Sequence, residues 1–159
     1  MKRSSTASKR RSASRRPTAS EILPGVFVGG WSDAEKFVGQ RVCVLDELPD
    51  SGAPAERHFP IYDEAHDRPI RENLDHVAAF VEAARANHQP ALMFCGHGIR
   101  RATLAGAWFL HRHEGITLDE AYARVRAVRP KIEHVKDWVG DWKGLVEVSS
   151  RASTPSRRS

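Results

Sequence analysis

The chain has 159 residues, of which 40% are hydrophobic and 28% charged, a size and composition that predict one compact, soluble globular domain. No apolar run approaches the roughly 18–20 residues that a membrane span needs, so we expect no membrane partner. The two cysteines, Cys43 and Cys95, are too few for a disulfide framework, which favours a reducing, cytoplasmic location.

The net charge of +5 is unevenly distributed. Residues 1–19 and 149–159 carry only basic charges, whereas residues 20–148 carry 15 basic and 20 acidic side chains. Both ends have almost nothing to bury, so we predict two disordered basic tails around one domain at 20–148. The tails either make weak contacts with nucleic acid or another polyanion, or are simply solvated. No aromatic residue lies among their charges to stack on a base.

The first half of the predicted domain contains short strands. Val26–Val28 is an apolar run that ends at two glycines, and a brief helix over Asp33–Val38 can follow it. Val42–Leu45 is apolar and partly β-branched, which predicts a buried strand. Residues 49–56 are rich in Pro, Gly and Ala and predict a loop, with His58–Tyr62 as the next short strand.

Helices dominate the second half. Apolar spacing predicts a helix over Ile70–Asn87, followed by an apolar strand at Ala91–Phe94. Ala102–Leu110 is apolar nearly all round and predicts a central buried helix, and a capping box opens another over Thr117–Val128. A last helix carries tryptophans at 138 and 142. Strands that alternate with helices predict an α/β fold with a central, mostly parallel sheet of about four to five strands, flanked by helices.

The segment that joins the strand to the buried helix contains two glycines and a cysteine. A nucleophile at Cys95 would lie at the carboxyl end of a parallel strand, where open α/β sheets bind their ligands. Gly96 and Gly98 allow the backbone to curl, so that amide N–H groups and the helix N-terminus point at an anion. Arg101 can hold phosphate oxygens bidentately over the same loop. This positive field favours a nucleophilic thiolate on Cys95.

Through Cys95, Gly98 and Arg101 the segment resembles the C-x5-R phosphate loop of protein tyrosine phosphatases, most closely that of the compact dual-specificity group. The run Glu21–Gly29 is similar to the opening strand of that family, and the likeness covers about residues 20–145. The resemblance implies a protein tyrosine phosphatase-like fold and phosphomonoester hydrolysis through a phosphocysteine intermediate. It implies a phosphorylated protein substrate and no metal or cofactor. Cys95 would be the nucleophile, and Arg101 would bind phosphate and stabilise the transition state.

The resemblance also implies a general acid and a set of pocket residues. In these enzymes an aspartate on a loop about thirty residues before the cysteine protonates the leaving oxygen. That role falls on Asp63, with Asp67 as its rival, and both belong to a polar, acid-rich loop at a strand end. The substrate-binding positions of the phosphate loop would be Gly96, His97, Gly98, Ile99 and Arg100.

Two departures from the family pattern predict a slow enzyme. Phe94 stands where a histidine usually precedes the cysteine, and Ala102 replaces a Ser or Thr whose hydroxyl assists the leaving thiolate. Thr103 is a candidate substitute for that hydroxyl. Two alternatives therefore stay open: a pseudophosphatase or phosphoresidue-binding module with the same fold, and an RNA 5′-phosphatase, which the basic tails would suit.

Other polar residues receive simpler interpretations. Cys43 lies in an apolar strand and is expected to be an inert, buried thiol. Asp46 and Glu47 end the second strand on the side of the candidate site, where they could help to position the phosphate loop. His111 and His113 are two residues apart on a helix, face different ways and make a poor metal pair.

Overall fold

A computed structural model of the chain describes residues 18–133. The predicted helix with the two tryptophans at 138 and 142 lies outside the described residues, as do the C-terminal tail and nearly all of the N-terminal one. Within residues 18–133, no helix is long and apolar enough to cross a membrane.

The described part of the chain alternates strands with helices, as predicted. In chain order the elements are β1 (Ser20–Leu23), β2 (Val26–Gly29), α1 (Trp31–Lys36), β3 (Gln40–Cys43), β4 (Arg57–His58), β5 (Tyr62–Asp63), β6 (Arg68–Pro69), α2 (Arg71–Ala86), β7 (Ala91–Phe94), α3 (Arg101–Glu114) and α4 (Leu118–Val128).

Five of the strands form one sheet in the order β1-β2-β7-β3-β4, and β5 pairs with β6 in a separate two-stranded sheet. Strand β7 lies between β2 and β3 and is parallel to both, whereas β1 is antiparallel to β2. The mostly parallel five-stranded sheet confirms the predicted fold class. Because β7 is the central strand, its carboxyl end lies in the middle of the row of strand ends.

Both faces of the sheet are covered. All four side chains of β7 are fully buried, and they alternate between two apolar clusters because successive side chains of a strand point to opposite faces. Ala91 and Met93 belong to the larger cluster, with residues of α2, α3 and α4. Leu92 and Phe94 belong to a smaller cluster, with Ala34 of α1. Burial on both faces explains why the strand is a continuous apolar run.

Helix α3 is the central helix. Each residue from Ala102 to His111 is buried, which confirms the prediction of a helix surrounded by the core. Helix α3 ends at Glu114, and Gly115 caps it with a φ of 67°, in the left-handed region that favours glycine. Helix α4 begins with the predicted capping box, in which the Thr117 hydroxyl accepts from the N–H of Glu120 at 3.1 Å and the Glu120 carboxylate accepts from the N–H of Thr117 at 2.9 Å.

Two predicted strands differ in kind from the structure, and the helix predicted over Asp33–Val38 and the strand predicted over Val42–Leu45 lie two residues earlier, at Trp31–Lys36 and Gln40–Cys43. The segment predicted as one opening strand forms two antiparallel strands, β1 and β2. Gly25, with a φ of 82°, makes the turn between them. The single strand predicted over His58–Tyr62 is wrong, since Pro60 interrupts it and its two ends pair in different sheets. The acid-rich stretch after Tyr62 is consequently a small antiparallel hairpin, with Asp63 opposite Arg68.

Candidate active site

Cys95 directly follows β7, at the carboxyl ends of the parallel strands β2, β7 and β3. Its backbone N–H donates to the carbonyl of Gly29 at 3.3 Å, which extends the pairing of β7 with β2 by one residue. The residue is only 5% exposed. The cysteine is thus held by the sheet on one side and by the start of α3 on the other, as the sequence predicts.

The sulfur of Cys95 accepts two backbone hydrogen bonds. The N–H of Gly98 lies 3.3 Å from Sγ, and the N–H of Ala102, in the first turn of α3, lies 3.4 Å from it. Amide donors and the positive end of a helix stabilise a negative charge. The loop and the first turn of α3 therefore direct two N–H groups at the sulfur of Cys95.

Gly98 gives the loop its shape. Its φ is 71°, and an added Cβ would lie 2.6 Å from the carbonyl carbon of Gly29 and 2.6 Å from Nη2 of Arg129. Gly96 is different, because its φ is not positive and a Cβ there would meet no described atom within 4 Å. Only Gly98 therefore meets the expectation that glycine is needed to curl the backbone.

Arg129, which the sequence did not single out, braces the same loop from outside. Its Nε donates to the carbonyl of Gly98 at 2.7 Å, and its Nη2 donates to that of His97 at 3.3 Å. The C=O of His97 and the N–H of Gly98 belong to one trans peptide group and point in opposite directions. Arg129 thus turns that N–H toward the sulfur of Cys95.

The side chain of Arg129 is nearly enclosed, with 8% of the residue exposed. Burial lowers the pKa of Arg129, and the negative groups of Asp33 and Cys95 oppose that shift. Its Nη1 donates to the carbonyl of Thr18 at 2.6 Å and to Oγ of Ser20 at 2.9 Å. Because these partners lie more than a hundred residues away, no local pattern in the sequence could reveal the contact.

Arg101, the first residue of α3, reaches two carboxylates. Its Nη2 lies 3.3 Å from Oδ1 of Asp46 and 3.4 Å from Oε1 of Glu64. Its side chain is 11% exposed, so the guanidinium is largely enclosed beside the phosphate loop. A phosphate group that binds to this guanidinium has to share or replace these contacts.

Asp63 ends β5 and faces its own hairpin. Its Oδ2 accepts from Nδ1 of His66 at 2.8 Å and lies 3.9 Å from Nη2 of Arg68. The hydrogen bond from His66 lowers the pKa of Asp63, with smaller contributions from the charges of His66 and Arg68. This arrangement favours the carboxylate, whereas a general acid must carry a proton.

The rival carboxyl group, Asp67, is bound by another side chain. Its Oδ1 accepts a hydrogen bond from the hydroxyl of Tyr62, and this contact is the main reason why the pKa of Tyr62 is raised to about 12. Asp67 also adopts a φ of 49°, in the left-handed region. The two aspartates thus lie on one hairpin with different partners.

A cavity of about 420 Å³ lies over the sulfur. Its walls include four of the five predicted substrate-binding positions, Gly96, His97, Ile99 and Arg100, together with Cys95, Arg101, Leu45 and Glu133. The fifth position, Gly98, contacts the sulfur through its N–H. The structure therefore brings the predicted loop residues, the cysteine and the arginine together around one cavity.

Thr103 does not provide the hydroxyl that Ala102 lacks. Its Oγ1 lies 2.7 Å from the carbonyl of Ile99 and 3.0 Å from that of Arg100, and it donates to these backbone groups. The suggested substitution of one hydroxyl for the other is thus wrong. The missing hydroxyl remains the main chemical departure of the site.

Within 18–133, no group of three or more His, Cys, Asp and Glu side chains could hold a metal ion. His111 is buried and bonds through Nδ1 to the carbonyl of Ile116 at 2.7 Å, whereas His113 pairs with Glu82. The two histidines have separate partners on separate sides of α3.

The chain is similar in sequence to proteins of one known family. Residues 48–142 match the family described as the dual specificity phosphatase catalytic domain. Dual specificity phosphatase 28 of Mus musculus is 28% identical over 126 residues, which cover 74% of this chain and 77% of that protein. Dual specificity protein phosphatase 12 of Rattus norvegicus is 27% identical over 71% of this chain but only 37% of its own length.

Solved structures show the same fold. Human DUSP28 superposes with a TM-score of 0.64 and 23% identity, over 87% of this chain and 96% of that one. DUSP15 superposes with a TM-score of 0.68 and 18% identity, over 89% of this chain and 93% of that one. With a family match that spans more than half of the sequence, the chain belongs to the dual specificity phosphatases.

Proposed function

We propose that the chain hydrolyses phosphomonoesters on proteins through a phosphocysteine intermediate at Cys95. The observation that carries this proposal is the sulfur itself, which accepts two backbone N–H groups beneath a cavity that Arg101 also lines. A nucleophile, an oxyanion-binding loop and a cationic side chain thus share one concave site.

The first step is an in-line displacement. The Cys95 thiolate attacks phosphorus, the S–P bond forms and the P–O bond to the leaving group breaks. Arg101 and the loop amides stabilise the charge on the equatorial oxygens. Asp63 donates its proton to the departing oxygen, so that an alcohol or phenol leaves in neutral form.

The second step regenerates the enzyme. Asp63, now a carboxylate, takes a proton from a water molecule, whose oxygen attacks phosphorus. The P–O bond forms, the S–P bond breaks, and the thiolate returns to its two amide donors with release of inorganic phosphate. Neither step uses a metal ion or a cofactor. The free thiols of Cys43 and Cys95 fit the proposal that the enzyme works in a reducing cytoplasm.

The substrate class can be tested with purified full-length protein and four phosphorylated probes. We expect release of inorganic phosphate from peptides that contain phosphotyrosine and from peptides that contain phosphoserine or phosphothreonine. A 5′-phosphorylated RNA oligonucleotide and a phosphoinositide serve as the contrasting substrates. Faster release from either of these would overturn the assignment of a protein substrate.

A binding module is the second candidate function, and Ala102 is the observation that favours it. Without a hydroxyl at this position, the phosphocysteine has less help in releasing its thiolate, and the Thr103 hydroxyl is bonded elsewhere. A burst of one product equivalent, followed by almost no turnover, would support this function. Steady turnover after the burst would exclude it.

Ala102→Ser is expected to increase turnover. A serine hydroxyl at this position can donate to the leaving sulfur, and one hydrogen bond to a charged group changes a rate by about tenfold. The measurement is kcat for para-nitrophenyl phosphate after the burst phase. Ala105→Ser, one turn further along the buried face of α3, is the matched control and should not raise kcat. Equal rates for both variants and the wild type would show that hydrolysis of the intermediate does not limit turnover.

His66→Ala is expected to move the basic limb of the pH–rate profile to higher pH. The hydrogen bond from His66 lowers the pKa of Asp63, so its loss lets the carboxyl group hold its proton to a higher pH. If Asp63 is the general acid, kcat/KM then begins to fall at a higher pH in the variant than in the wild type. A profile for His66→Ala that coincides with that of the wild type, measured with phenyl phosphate, would contradict the role of Asp63.

A further inference from the structure

Asp46 connects two parts of the site that are far apart in the chain. It lies three residues beyond the end of β3, and its side chain is 16% exposed. One oxygen, Oδ1, accepts from Nη2 of Arg101 at 3.3 Å, and the other, Oδ2, accepts from the backbone N–H of Glu64 at 3.0 Å. A single carboxylate thus joins the arginine beside the phosphate loop to the hairpin that carries Asp63.

We propose that Asp46 is a positioning residue that couples the general acid to the phosphate-binding arginine; this inference rests on the proposed function. The N–H of Glu64 belongs to the peptide group that begins at the carbonyl of Asp63. When Asp46 holds this peptide, it fixes the backbone from which the Asp63 side chain projects. The same carboxylate fixes one edge of the Arg101 guanidinium.

The two carboxylates on Arg101 have different roles. The Glu64 side chain is 70% exposed, whereas that of Asp46 is 16% exposed. An exposed ion pair contributes little, so a phosphate dianion replaces Glu64 more readily than Asp46. Because Asp46 binds the backbone of Glu64, its link to the hairpin persists when the Glu64 side chain moves away. Asp46 therefore keeps Asp63 and Arg101 at a fixed position relative to each other while the phosphate binds.

The neighbouring residue provides a contrast. Glu47 has the same charge and the adjacent position, but it is exposed. Of the two acidic residues that were expected to position the phosphate loop, Asp46 contacts Arg101. Glu47→Gln therefore removes an equal charge from the same strand end without removing the link, which makes it the matched control.

The test compares two substrates that differ in their need for a general acid. Phenyl phosphate has a poor leaving group, whereas para-nitrophenyl phosphate has a good one, so the loss of a positioned acid slows the first ester more. For Asp46→Asn we expect kcat/KM to fall by about tenfold more for phenyl phosphate than for para-nitrophenyl phosphate. We also expect weaker competitive inhibition by inorganic phosphate, because Arg101 loses its fixed edge. Glu47→Gln should match the wild type in kcat/KM for both esters and in inhibition by inorganic phosphate.

A merely structural role gives a different result. In that case Asp46→Asn lowers kcat/KM equally for both esters, in step with any loss of thermal stability, and this overturns the inference while the proposed function stands. If Asp46→Asn does not fold, Asp46→Glu, which keeps the charge but shifts it by one methylene, carries the same comparison. An inactive wild type would overturn the proposed function and the inference together.

Coupling can be measured directly in the Asp63→Ala background. If Asp46 acts through Asp63, the difference that Asp46→Asn makes between phenyl phosphate and para-nitrophenyl phosphate should vanish in this background. Its effect on inhibition by inorganic phosphate should persist, because that effect runs through Arg101. A difference between the two esters that persists without Asp63 would show that Asp46 does not act on the acid.

Discussion

Cys95→Ser is expected to abolish turnover of para-nitrophenyl phosphate. A serine hydroxyl is nearly isosteric and can still accept from the N–H groups of Gly98 and Ala102, so the fold should persist. It is not ionised at neutral pH, and it therefore lacks the nucleophilicity of a thiolate. We expect kcat/KM to fall by about 10⁴-fold or more, the scale seen when the nucleophile of a covalent mechanism is removed.

The second cysteine supplies the control for this experiment. Cys43 is fully buried in β3, and burial raises its pKa to about 11, so it remains a neutral thiol at physiological pH. Cys43→Ala should lose some stability, because it leaves a small cavity, but should keep its activity. Activity that survives in Cys95→Ser, or disappears in a folded Cys43→Ala protein, would contradict the assignment.

Asp63→Ala is expected to slow the hydrolysis of phenyl phosphate by about 10²–10⁴-fold, the usual contribution of a positioned acid. The loss should be smaller for para-nitrophenyl phosphate, whose leaving group needs less protonation. The basic limb of the pH–rate profile should also flatten, because the group that titrates there is gone. These quantities come from kcat/KM profiles of the wild type and the variant on both esters.

Asp67→Asn distinguishes the two aspartates of the hairpin. It removes the charge of Asp67 and leaves a carbonyl oxygen that can accept from the Tyr62 hydroxyl. We expect a change of less than about tenfold, with the basic limb retained. If Asp67→Asn instead loses as much activity as Asp63→Ala and also loses the limb, the general acid is Asp67.

The sequence predicts the centre of the site well because its signals are local. An apolar strand, two glycines, a cysteine and a buried helix follow one another within about twenty residues, and the structure places them as expected around Cys95. The alternation of strands and helices likewise predicts the mostly parallel sheet. Burial makes β7 and the Ala102–Leu110 part of α3 easy to recognise, since each is apolar nearly throughout.

The sequence does not predict which residues from distant segments of the chain contact each other. Arg129 lies 31 residues after Gly98 and follows an ordinary helix end, so its sequence context does not indicate that it braces the phosphate loop. The sequence placed Asp46 on the side of the site, but it did not identify Arg101, 55 residues away, as its partner. The sequence predicts a loop where the β5–β6 hairpin lies, because strands of two residues leave no periodic pattern.

The local partners of Asp63 change how the mechanism has to be understood. Spacing and resemblance predicted Asp63 as the general acid, and the structure adds that His66 bonds to Asp63 and lowers its pKa. Similarly, Arg101 lines the cavity over Cys95 but is paired with two carboxylates. In both cases a substrate has to replace an existing contact, and the slow turnover expected from Phe94 and Ala102 stays a prediction.

The covalent intermediate provides the most direct test of the central claim. Wild-type protein is mixed with para-nitrophenyl phosphate, quenched in acid within the burst phase and digested for mass spectrometry. We expect the peptide that contains Cys95 to gain the mass of one phosphoryl group, which Cys95→Ser should not show under the same conditions. Turnover without a phosphorylated Cys95 peptide, or with the phosphoryl group on another residue such as His97, would contradict the proposed mechanism.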